Sequence, residues 1–161
     1  MTRRQRKLLL AAGAAGLAVA AWKLAPPRTP HGPAGCDAAL WNHVYHPARL
    51  EVIEPCKTVE GEIVLVRHED DGDLHILLDV ADKSLLSEAN FSKQHGALVL
   101  EPICQKEPTQ EDAIEPCRNY AGPMFAVHKG MRVRVTGSYV RDGKHGGWME
   151  IHPVTSMVAI P

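Results

Sequence analysis

The chain has 161 residues, 45% of them hydrophobic, and a net charge of −1, enough for one domain with a single modest core behind an N-terminal extension. Six of its 18 Lys and Arg residues stand at or before Arg28, while all 19 Asp and Glu residues follow, so the remainder sets 12 basic against 19 acidic side chains and carries −7. Nonspecific binding to a nucleic-acid backbone needs the opposite balance and is disfavoured.

Residues 1–23 read as a signal peptide or membrane anchor. Arg3, Arg4, Arg6 and Lys7 form a basic head before the 15-residue apolar run from Leu8 to Trp22. At ~1.5 Å per helical residue this run falls short of a ~30 Å hydrocarbon core, so its length fits an export signal better than a full span. Cleaved signal and uncleaved anchor both stay open, because Ala18-Val19-Ala20 lies inside the apolar run and Pro26 follows Ala25. Thr2-Arg3-Arg4 lacks the apolar residues that should follow a twin-arginine signal, and Pro33 is wrong for lipidation of Cys36. Residues 24–35, "LAPPRTPHGPAG", form a Pro- and Gly-rich linker. The domain proper is expected over residues 36–161.

Within that domain, "CDAALWNHVYHPARL" holds a short helical turn before five predicted strands. The first covers roughly residues 50–67. Asp71-Gly72 signals a hairpin turn, and "DLHILLDV" then sets Leu74, Ile76, Leu78 and Val80 on one face. In "GALVLEPI", Leu98 and Leu100 share a face. After a polar loop, Met131, Val133 and Val135 alternate with Arg132, Arg134 and Thr136, and "WMEIHPVTSMVAI" is the last strand. The pattern predicts an all-β domain with minor helix, a small five-stranded Greek-key barrel of the OB type preceded by the signal or anchor helix. Gly61 and Gly137 are expected where strongly bent strands leave no room for a Cβ.

Four cysteines, Cys36, Cys56, Cys104 and Cys117, include no C-x-x-C pair, which argues against a zinc ribbon or a thioredoxin-type site. An even count behind an export signal predicts two disulfides in an oxidising compartment. Of the three possible pairings the local one is expected: Cys36 with Cys56, and Cys104 with Cys117 across "CQKEPTQEDAIEPC".

The segments "YHPARLEVIEPCKTVEGEI", "DGDLHILLD", "GALVLE", "MRVRVTGSYVRD" and "HGGWMEIHPV" resemble a group of exported bacterial proteins with OB-like domains, over about residues 43–157. The "GW-EIHPV" ending is the most specific part. The resemblance implies fold and export and supplies no catalytic residue.

In "GGWMEIHPV", Trp148, Glu150 and His152 fall on one face of the last strand, with Met149 and Ile151 on the other. Arg132, Arg134, Asp73 and His75 also stand opposite the apolar set. Trp148, Glu150, His152, Arg132, Arg134 and His75 are therefore the candidate ligand-binding residues. A plainer expectation is a solvated face in which Glu150 pairs with an arginine, with His152 bonded to the backbone at a corner before Pro153. A metal alternative would draw on His43, His46, His152 and Glu150, which offer ligands suited to zinc or copper. "HEDDGDLH" lacks the loop of a calcium-binding EF-hand and reads as an acidic hairpin turn. No G-x-S-x-G, phosphate loop or H-E-x-x-H occurs. These features predict an exported, noncatalytic binding module without a cofactor, whose partner is an envelope protein, a glycan or a small ligand. The alternative is a metal-binding protein or metal-dependent hydrolase using the Glu150 and His152 face.

Overall fold

The computed structural model describes residues 35–161; the expected signal or anchor and nearly all of the linker lie outside them. Among the described residues, no helix is long and apolar enough to cross a membrane. Five strands carry the fold: β1 (Leu50–His68), β2 (Leu74–Val80), β3 (Leu98–Leu100), β4 (Arg132–Asp142) and β5 (Trp148–Ala159). Two short helices intervene, α1 (Glu88–Lys93) between β2 and β3, and α2 (Ile114–Cys117) after β3. The strands close in the order β1-β2-β3-β5-β4, with β1 paired to both β2 and β4. All pairings are antiparallel except that of β3 with β5.

The alternation read in the sequence becomes the barrel interior. Leu74, Ile76, Leu78 and Val80 meet Leu98, Leu100, Val133, Val135, Ile151 and Val154 in one buried cluster. Closure around so small a core forces strands into close approach. A Cβ at Gly61 would collide with the carbonyl oxygen of Asp79, and one at Gly137 with that of Pro153. The β4–β5 register shifts on both sides of Gly137, so this residue also sits at a bend.

Half of the burial was hidden from a one-face reading. The opposite, outer face of β2, β3 and β5 is covered as well. Leu77, Val99 and Trp148 pack with Ala89 of α1 and with Ala97. Leu50 and Val140 pack beneath Leu40 and Val44 of the N-terminal segment and beneath Ile103 and Cys104. Both expected disulfides are present: Cys36–Cys56 ties the N-terminal segment to β1, and Cys104–Cys117 closes the polar loop after β3. In the loop-entropy picture, closure of a loop of this size adds about 3 kcal/mol.

Helix α1 is too short to hold itself in place. A capping box starts it, in which Ser87 and Asn90 each bond the other's backbone. The Asn90 side chain, fully buried, then reaches the barrel: its Nδ2 donates to the carbonyls of Ala97 and Met149, both at 2.9 Å, and its Oδ1 accepts from the Met149 N–H at 2.7 Å. Truncation would leave several buried backbone groups unpaired, each costing about 1–3 kcal/mol. Asn90→Ala is therefore expected to lower stability by roughly 2–4 kcal/mol, read from urea melts, whereas Ser92→Ala on the exposed side of the same helix should change it by less than about 0.5 kcal/mol.

Candidate functional site

The outer face of β5 carries Trp148, Glu150 and His152 at alternate positions, as the spacing requires. The structure corrects the expectation of a wet face: Glu150 and His152 are 0% exposed and Trp148 is 9% exposed. The covering layer accounts for this. Residues 38–49 and the stretch around Ile103 lie over the strand, so side chains that would have met solvent meet one another.

Seven charged or titratable side chains form a continuous network there, with His145 joining through its Nδ1, 2.9 Å from Asp142 Oδ2. His152 Nδ1 stands 2.9 Å from Glu101 Oε2 and 3.1 Å from Glu150 Oε1. The indole of Trp148 donates to Glu150 Oε2 at 2.6 Å. Glu101 Oε1 accepts from His75 Nδ1 at 3.2 Å, and His75 Nε2 faces Gln94 Oε1 of the segment after α1 at 3.1 Å. Arg49, at the end of a 3-10 turn (Pro47–Arg49), enters from the covering layer. Its Nη2 lies 3.4 Å from Glu101 Oε2, while its Nη1 contacts Asp142 Oδ2 and lies 3.9 Å from Glu150 Oε1. Asp142, also fully buried, receives the backbone N–H of His145 at 3.0 Å, and the His145 ring stacks on Trp148 at 4.8 Å.

Beside this network lies Asp73, 2% exposed, at the start of β2. Its Oδ1 accepts the Cys104 N–H at 2.7 Å. Its Oδ2 has no hydrogen-bond partner among the described residues, and neither has His152 Nε2. A cavity of about 280 Å³ opens onto this floor. Asp73, His75, Glu101 and Arg49 line its depth, and Arg67, Asp70, Asp71 and Lys144 stand among its walls.

The environment sets the protons. Burial opposes charge on His152, but its hydrogen bonds to Glu101 and Glu150 and their negative charges prevail, raising its pKa to about 10. Burial likewise opposes ionisation of Glu101, yet hydrogen bonds from His152 and His75, with the charges of His152 and Arg49, hold its carboxyl well below the usual range. Burial opposes charge on His75 too, and its bonds to Glu101 and Gln94 raise its pKa nonetheless. Asp73 has no such compensation. Burial, reinforced by Asp71 and Glu101 and only partly offset by His152, pushes it up to about 8.

The other expected site residues lie elsewhere. Arg132 and Arg134 share the outer face of β4 with Val140 and Asp142 but occupy its opposite end; Arg134 pairs with exposed Glu60 at 2.6 Å and Arg132 donates to the carbonyl of Pro161. Parity placed them on the right face without placing them along the strand. His43 binds the carbonyl of Pro116, and His46 is exposed near Asp112 at 3.8 Å, so neither joins His152 and Glu150 as a metal ligand. The acidic turn is held as a turn, with the backbone N–H groups of Thr109 and Gln110 donating to the carbonyl of Asp70. Of the candidates, Trp148, Glu150, His152 and His75 come together. Arg49, Glu101 and Asp142 were missed. Alternation through "GALVLE" does put Glu101 opposite Leu98 and Leu100, a signal available to inspection, whereas nothing local marks Arg49.

No protein-family model matches the chain, and no curated protein matches it.

Removing His152 strands two buried carboxylates, and losing one partner of a buried ion pair costs about 3–5 kcal/mol. His152→Gln should lower stability in urea melts by at least roughly 3 kcal/mol, far beyond the change at a solvated position. The pH dependence has a definite sign. Between an ordinary value of 3.8 and about 8, folded Asp73 keeps a proton that the unfolded chain releases. His152 does the same between 6.5 and about 10. Both contributions are complete at the acid end of their windows and are lost as pH rises. Glu101 acts oppositely, and its contribution is lost as pH falls below 4.5. Denaturation midpoints are expected to fall from pH 5 to pH 9, and Asp73→Asn should flatten the part of that fall below pH 8.

Proposed function

We propose that the chain is an exported, noncatalytic binding module built on an OB-like barrel, with a small cationic or zwitterionic ligand seated in the cavity above the buried network. The observation that carries this reading is the coupling of an open cavity to a floor of charges fixed in place before any ligand arrives. Charged groups held by one another lose little freedom on binding, which is what preorganisation means energetically. With Asp73 protonated, the cavity wall holds four carboxylates, Glu69, Asp70, Asp71 and Glu101, against Arg49, Arg67 and Lys144, so its balance favours a positive group.

The fold and setting rest on separate supports. The strand order, with β1 closing against β4 and β3 running parallel to β5, fits the five-stranded Greek-key plan of OB-type barrels. The two disulfides fit an oxidising, extracytoplasmic setting, and the basic head with its short apolar run fits export.

Titration of the protein with polyamines, amino acids and simple sugars, followed through the Trp148 indole resonance, tests the reading. A saturable shift with at least one cationic or zwitterionic ligand, weakened about tenfold or more by Asp71→Asn, is expected; a tenfold change corresponds to ~1.4 kcal/mol. Silence across these compounds, or a response to sugars alone, would overturn the proposed ligand class.

A further inference from the structure

Asp73 Oδ2 and His152 Nε2, both buried and without a hydrogen-bond partner, belong to residues of one cluster. One carboxylate oxygen of Asp73, one of Glu101 and one ring nitrogen of His152 lie within 4.8 Å of one another, and all three residues are buried. Burying a polar atom without a partner costs free energy, so two such atoms in one cluster call for an occupant. The histidine is also oriented in a particular way. Its Nδ1 is engaged by Glu101 and Glu150, while its Nε2 is buried and without a hydrogen-bond partner. A carboxylate holding the far nitrogen of an imidazole is the usual support of a metal-ligating histidine.

From this geometry we infer that Asp73, Glu101 and His152 form a binding site for one divalent first-row transition ion, of which zinc is the probe, at the deep end of the cavity. Two carboxylates and one imidazole suit such an ion, whereas calcium prefers six or more oxygens. Asp73 and Glu101 line the cavity, so the site has an entry path and positions open towards it. Binding takes His152 as the neutral imidazole and Asp73 and Glu101 as carboxylates, so a metal entering here displaces the protons that His152 and Asp73 otherwise hold. The ligand set differs from the one expected from the histidine spacing, retaining His152 alone. It deepens the proposed binding role and narrows it to the zwitterionic case, because a metal at the floor would offer its open positions to the carboxylate of a ligand entering above.

Calorimetric titration of the untagged, metal-stripped protein with zinc, alongside elemental analysis after dialysis, tests this. One equivalent is expected to bind, with cobalt substitution giving the visible bands of an oxygen- and nitrogen-ligated site. Asp73→Asn keeps the acceptor for the Cys104 N–H and should fold, yet weaken zinc binding at least tenfold. His46→Gln, at an exposed histidine, should leave it unchanged. Absence of a stoichiometric zinc, equal affinity in Asp73→Asn, or loss in His46→Gln would each overturn the site. Zinc failing while a polyamine or amino acid still shifts the Trp148 resonance refutes the metal alone; zinc binding while those compounds are silent refutes only the organic ligand.

Discussion

Arg49 is the residue around which the buried face is organised. Its guanidinium reaches Asp142, Glu101 and Glu150 from a segment that precedes the first strand. Without it, three carboxylates from β4, the end of β3 and β5 would share a water-poor space with only imidazoles to balance them. The desolvation of such charges is tolerable only when each is paired and its remaining lone pairs are bonded. The covering layer and the charge network are thus mutually dependent: the cover excludes water, and the cover also brings the cation that makes exclusion bearable.

Each of the three covering pieces is held by a different means. The N-terminal segment is joined to β1 by Cys36–Cys56, the polar loop is closed by Cys104–Cys117, and α1 is pinned through Asn90. The loop disulfide has a second effect, because Cys104 supplies the N–H that orients Asp73. Covalent constraint in the cover therefore reaches the floor of the cavity through one backbone hydrogen bond.

The barrel interior was legible because period-two alternation needs only one residue in two to be apolar, and Leu74 to Val80, Leu98 with Leu100, and Val133 with Val135 meet that demand directly. The pairing of the cysteines followed from short spacing. What the sequence concealed was the second burial. Leu77 and Val99 on the outer face do hint at cover, but polar Glu150 and His152 beside them imitate a solvated face. Alternation reports which side a residue faces and says nothing of what lies on that side. The same limit explains Arg132 and Arg134, which share a face with Asp142 and yet lie a strand's length from it. Arg49 could not be found locally, since its partners follow it by 52 to 101 positions in the chain.

Asn90 has one further consequence. Strand β3 is only three residues long and pairs with β5 at Glu150 and Ile151, so the ladder between them does not include Met149. There the side-chain amide of Asn90 takes over, donating to the Met149 carbonyl and accepting from its N–H, as a neighbouring peptide group would. A single side chain thereby completes a ladder that the backbone leaves unfinished. An unfinished ladder is a template on which a second chain can add its own strand. By filling that vacancy from within, Asn90 leaves Met149 no free backbone group to offer such a strand, as well as fastening a helix.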